Sequence, residues 1–199
     1  MIALAHEQMT WTPSLADSER SLGSMYAEMP KDPAAAVPWY VRCLENPESS
    51  LALAGAIDLF GHDCIHILLG RGLLGQDEAF VIGYTMGASR RSSPWQERLF
   101  SFCARHVYQG PYRFRAADAE VFSLASRAAQ CSPGAALHDV DFRSWWERPV
   151  GELRAALGLS SDFLRAVYAR EAMSFPHTAA SQRLATLLPR ALHHRLAAS

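Results

Sequence analysis

Residues 59–78 read LFGHDCIHILLGRGLLGQDE, and this stretch decides the fold. An apolar run carrying His62, Asp63 and His66 meets three glycines, Gly70, Gly72 and Gly75, and then an acidic pair, Asp77 and Glu78. Glycines stop a helix and permit a tight connection, so the pattern predicts a helical hairpin. On the first helix His62 and His66 are one turn apart on one face, and Asp63 shares its edge with His66. Cys64 points roughly the opposite way and reads as packing. The second helix, expected from Gln76 to Ser89, folds back antiparallel and brings Glu78 alongside the end of the first. Two imidazoles and two carboxylates without thiolate suit Zn, Mn or ferrous iron; Mg and Ca fit less well because His is a poor ligand for them. Ordinary readings stand beside this one: a histidine pair at helical spacing can be plain core or surface, and Glu78 can simply favour the positive end of its helix. The combination favours an ion, because ionisable groups buried unpaired in an apolar helix cost several kcal/mol that a shared cation offsets.

Outward from the hairpin, start and stop signals divide the chain into about eight helices, with no period-two alternation long enough for a sheet. The expected class is all-α, a compact bundle in a single domain. Asn46-Pro47-Glu48 predicts a helix start, with Asn as cap and Pro at the first position, running to Leu69. Upstream, Thr12-Pro13 opens an early helix and Pro38 to Glu45 a short one. Downstream, helices are expected from Ser93-Pro94 to near Gly110-Pro111, from Ala117 to Gln130, and from Pro149 to Leu157, closed by Gly158. Ser144 to Glu147 has capping-box spacing. Two C-terminal helices follow.

Apolar residues make up 49% and charged residues 20% of the 199, which is the composition of a folded globular chain. With 19 Lys+Arg against 20 Asp+Glu, the overall charge gives no reason to expect a nucleic-acid partner. Cys43, Cys64, Cys103 and Cys131 form no C-x-x-C pair and no secreted framework, and Met1 to Glu7 has no signal-peptide pattern, so a cytoplasmic location is expected. Leu51 to Leu69 has roughly the length of a membrane span, but Asp58, His62, Asp63 and His66 would be costly in lipid.

Two other metal architectures fit poorly. A zincin needs H-E-x-x-H, and here Asp63 replaces the Glu. A di-metal bundle needs a second carboxylate-x-x-His motif, and no other Asp or Glu is followed by His three residues later. The site is expected to be mononuclear.

His62-Asp63-Cys64-Ile65-His66, eleven residues and Glu78 resemble the signature of the Coq-four family of coenzyme Q (ubiquinone) biosynthesis, His-Asp-x-x-His followed by Glu. The linking Leu69-Gly70-Arg71-Gly72 is also similar. Further on, Trp146-Glu147-Arg148-Pro149-Val150, Leu153-Arg154 and Leu157-Gly158 resemble that family's C-terminal pattern. The resemblance covers residues 33–159; residues 1–32 match poorly, and residues 160–199 read as a helical extension packing on the same domain. It implies a helical protein with a divalent, zinc-type site at His62, Asp63, His66 and Glu78, where Fe2+, Mn2+ or Mg2+ are the other candidates. The implied activity is oxidative decarboxylation at C1 of a prenylated ring precursor. The alternative is a non-catalytic lipid-binding scaffold that organises other quinone-biosynthesis proteins. Either role implies an isoprenoid-lipid partner and a peripheral place on the inner face of the cell membrane.

Several features lie outside that motif. Ala79, Gly83 and Gly87 form a small-residue stripe that suits close helix packing, a homodimer contact or a slender lipid chain. Trp95, Phe100, Phe102 and Tyr108, at helical spacing, read as core. Leu184, Leu187, Leu188, Leu192 and Leu196, interleaved with Arg and His, read as an amphipathic packing helix, with a membrane surface as the alternative. His138-Asp139 reads as a surface loop, and Arg90 and Arg91 as helix-end charges.

Overall fold

The computed structural model describes residues 11–30, 44, 46–89, 91–132 and 134–187. Among them the fold is all-α, with eight α-helices and no strand: α1 (Leu22–Ala27), α2 (Leu59–Leu69), α3 (Gly75–Ala88), α4 (Pro94–His106), α5 (Ala116–Gln130), α6 (Val150–Ala156), α7 (Ser161–Ser174) and α8 (Ala179–Leu187). Short 3-10 turns at Gly110–Tyr112, Leu137–Asp139 and Phe142–Trp145 join some of them. The expected short helix from Pro38 to Glu45 lies outside the described residues apart from Leu44, and so does Arg90.

The helix expected to begin at Asn46 begins at Leu59 instead. Asp58 is its cap, accepting from the Gly61 N–H at 2.7 Å. Asn46 does cap locally, taking the Glu48 N–H at 3.0 Å, but it makes a turn and no helix. Gly55 explains the difference: it sits at φ +88°, where an added Cβ would lie 3.0 Å from the Met86 backbone. The segment therefore bends against α3, a path no continuous helix could follow. Leu51 is correspondingly exposed, and no helix among the described residues is long and apolar enough to cross a membrane. The early helix at Thr12 is likewise absent; residues 11–20 are turns and irregular chain, tied to α6 by Val150 N–H to Arg20 O and Gly151 N–H to Ser18 O, both 2.8 Å. The Ser144–Glu147 capping box does not form either. Ser144 Oγ donates back to Asp141 O inside a 3-10 turn.

The main core gathers Leu22, Ile65, Leu68, Phe80, Tyr84, Val121, Leu153, Leu164 and Leu184, so α7 and α8, from the extension, share one core with the hairpin. A smaller cluster, Leu53, Met86, Phe100, Phe114 and Phe122, fills the space under α4. The small-residue stripe is consumed inside the chain. A Cβ on Gly83 would lie 2.4 Å from Phe122 O, and one on Gly87 2.3 Å from Ser126 O, so α3 and α5 are in backbone contact. The stripe thus serves this packing and offers no argument for a dimer. Gly87→Val is expected to cost about 3 kcal/mol or more by forcing the helices apart. Gly75→Ala, whose Cβ would meet only Asp118 Oδ2 at 3.8 Å, is expected to change stability by less than about 1 kcal/mol. Urea unfolding of the two variants checks the contrast.

Candidate metal centre

α2 ends at Gly70, which adopts φ +65° and returns its N–H to the carbonyls of His66 and Ile67. Only four residues separate it from α3, whose first turn carries Glu78. Asp77 closes that turn by accepting the Leu74 N–H at 3.0 Å. The hairpin predicted from the glycines therefore forms, and it sets His62, His66 and Glu78 face to face.

His62 Nε2 lies 3.0 Å from Glu78 Oε2, His66 Nε2 3.3 Å from the same oxygen, and the two Nε2 atoms are 3.1 Å apart. Metal–ligand bonds of about 2.0–2.1 Å in tetrahedral geometry place ligand atoms about 3.3 Å from one another. The three donors thus already stand close to the spacing of one face of a coordination tetrahedron. His66 is fully buried, and its Nδ1 donates to Gly72 O at 2.8 Å. A carbonyl can only accept, so in the neutral ring Nε2 carries a lone pair aimed at the shared point. With both rings neutral, one His62 proton cannot serve both the second imidazole and the carboxylate; a shared metal cation can, and so can a proton gained by the pair, with both rings then donating to Glu78. Burial by itself would raise the Glu78 carboxyl, but the His66 and His62 imidazoles outweigh it and hold it well below the ordinary carboxylate range, so Glu78 is an anion. His62 and Glu78 are partly exposed, which leaves one side of the group open for water or a further ligand.

Asp63 falls outside this group of three. It is buried toward α1, where its carboxylate accepts the Tyr26 hydroxyl, and Tyr26 is pushed up to about 12, by burial first and by Asp63 next. Cys64 packs in the main core, as its helix position implied. The His138–Asp139 dipeptide forms a 3-10 turn elsewhere and brings no fourth ligand.

Residues that sequence reasoning did not single out hold the hairpin. Arg71, fully buried between the glycines, makes a bidentate pair with Glu171 of α7 at 2.9 and 3.0 Å, and its Nε lies 3.1 Å from Asp77. Its guanidinium also sits over the rings of Phe80 and Tyr168. Gln76 donates to Glu171 at 2.6 Å and to Ser181 at 3.0 Å, and Arg183 of α8 pairs with Asp77. Two cations and two carboxylates balance in one buried network, clamping the connection that presents Gly72 O to His66. The C-terminal carbonyls of α2 are held as well. Arg154 donates to Leu68 O at 2.9 Å and Ile67 O at 3.0 Å, and Tyr168 donates to Leu69 O. Among the described residues Arg154 makes no ion pair with a carboxylate, and burial pulls it down to about 10, a cost offset by the negative pole of the helix and in part by Asp17. Trp146 packs edge-on against Tyr26 and near Phe60, bracing the outer side of α2.

No protein-family model, curated protein or solved structure matches the chain.

Proposed function

We propose that the chain is a mononuclear divalent-metal protein acting on the ring of a prenylated quinone precursor, with oxidative removal of the ring carboxyl at C1 as its reaction. The observation that carries the reading is the convergence of His62, His66 and Glu78 at ligand spacing, in the hairpin where the Coq-four signature would put a metal site. Zinc fits the donor set; ferrous iron and manganese fit the same donors, and magnesium fits less well. The ion, when bound, supplies Lewis acidity toward a carboxylate and an adjacent phenol. His62 and His66 would hold it as neutral imidazoles, Glu78 would offset one of its two charges, and the exposed side of the trio would give the substrate access. Asp63, held by Tyr26, orients α2 beside the site.

The non-catalytic scaffold reading, in which an ion fixes the hairpin and the protein presents lipid intermediates to other quinone-biosynthesis enzymes, is disfavoured by one feature. The hairpin is already fixed by Arg71, Arg154 and Tyr168, so it needs no ion to hold its shape. Chelation is therefore expected to leave helicity unchanged and to lower the melting temperature by no more than linkage to metal binding requires. The test of the enzyme is a single-turnover assay of the metal-loaded protein on a prenylated hydroxybenzoate labelled in its carboxyl carbon, in air and without dioxygen. Zinc accepts no electrons, so the zinc form is expected to release labelled carbon dioxide only when dioxygen serves as acceptor. Full metal occupancy with no release under either condition would return the scaffold reading.

A further inference from the structure

The aromatic residues of α4 divide into two sets. Phe100 and Ala104 face the smaller core and are buried, whereas Trp95 is 60% exposed and Phe102 58% exposed, with Val107 just past the helix end at 48%. Trp95 and Phe102 are seven residues apart, so they stand on one line of the helix, with His106 one turn beyond, its ring 4.9 Å from that of Phe102, while Leu99 between them is partly buried against the smaller core. Single exposed apolar residues are ordinary, but an aromatic line along the solvent side of a helix whose other side is already core is not.

Charge distinguishes this face further. Arg98 and Arg105 flank the line on one side, Arg91 precedes it, and Arg113 reaches back to donate to Arg105 O at 3.1 Å. The single carboxylate of α4, Glu97, is turned toward α5, where it accepts from Gln130 at 2.9 Å. Among the described residues of α4, the exposed charges are therefore cationic and stand beside aromatic rings. A convex helix side offers no pocket for a protein partner's anchor, while a bilayer interface needs none: aromatic rings enter the headgroup boundary and arginines reach anionic phosphates.

We propose that α4 docks the protein on an anionic lipid surface, lying in the plane of the interface with Trp95 and Phe102 inserted and Arg91, Arg98, Arg105 and Arg113 on the headgroups. This placement does not depend on the metal centre. The test is co-sedimentation of the full chain with vesicles of phosphatidylcholine alone and of phosphatidylcholine with a third phosphatidylglycerol. Binding is expected on the anionic vesicles and to weaken in high salt. Trp95→Ser with Phe102→Ser is expected to weaken it by at least about tenfold, and Arg98→Gln with Arg105→Gln by about fivefold per arginine. All four side chains are exposed, so circular dichroism and thermal unfolding should stay at wild-type values, separating lost docking from lost fold. Absence of binding to anionic vesicles, or equal binding by the Trp95/Phe102 variant, would overturn the proposal. So would capture of α4 by a soluble acidic protein that leaves vesicle binding unaffected.

Discussion

Glu171→Ala is expected to destabilise the protein by about 3–5 kcal/mol, because it leaves the buried Arg71 guanidinium short of the carboxylate that takes two of its hydrogen bonds. Domains of this size are stable by only about 5–15 kcal/mol in total, so the variant should unfold at much lower urea or fail to accumulate. Asp77 compensates only in part, because only its Oδ1 faces Arg71, 3.1 Å from Nε. It already pairs with Arg183 and caps the first turn of α3. Replacing both partners, Arg71→Met with Glu171→Leu, is expected to recover most of the loss, since apolar groups of similar volume need no pairing. Urea unfolding of the single and double variants measures the coupling. A loss below about 1 kcal/mol in Glu171→Ala would mean that the network is not dry or not paired as described.

His66→Ala is expected to remove the metal. His66 is the only fully buried member of the trio and the one whose ring is fixed by a backbone carbonyl, so no neighbouring side chain can replace its nitrogen. Loss of a ligand should reduce affinity more than loss of an outer partner, for which about 10–100-fold is typical. Glu78→Gln keeps the shape and removes the charge, so it should weaken binding while leaving the fold intact. Acid should have the same effect on the wild type. Imidazoles bind metal only when neutral, so the ion is expected to be released in acid. Glu78 adds a second boundary in the metal-free protein. Its folded pKa lies below the unfolded one, so its contribution to stability is present above about pH 4.3 and is lost as the pH falls further. Zinc titration at pH 7.5 and 5.5, with wild type and both variants, checks the binding predictions, and urea unfolding of the metal-free protein between about pH 5 and pH 3 checks the Glu78 boundary.

What the sequence disclosed of this site was local. The i, i+4 histidine pair, the glycine breaks and the acidic residue in the next first turn lie within one hairpin, and helical geometry alone converts that spacing into proximity. Asp63 illustrates the limit of the same reasoning: position on the helix put it near the edge of the ligand face, but Tyr26, far away in sequence, takes its carboxylate. Arg71 and Glu171 are a hundred residues apart, and no periodicity connects them. The available signal was a single arginine lodged between glycines in an otherwise apolar connection, a place where a charge needs a distant partner. Asn46-Pro47-Glu48 misled for a different reason, since an Asn that caps a helix equally well caps an isolated turn. Gly55, inside the supposed helix, was the contrary evidence. On α4, aromatic periodicity identified a helix but could not separate the inward Phe100 from the outward Trp95 and Phe102, because both of its sides are apolar.

The central claim is that His62, His66 and Glu78 hold one divalent ion. The most direct measurement is X-ray absorption at the zinc edge on wild-type protein dialysed with zinc, together with elemental analysis of His62→Ala with His66→Ala. One ion per chain, bound by two imidazole nitrogens and oxygen at about 2.0–2.1 Å and absent from the double variant, is the predicted result. An ion retained equally by the double variant, or no ion retained by the wild type, would contradict it.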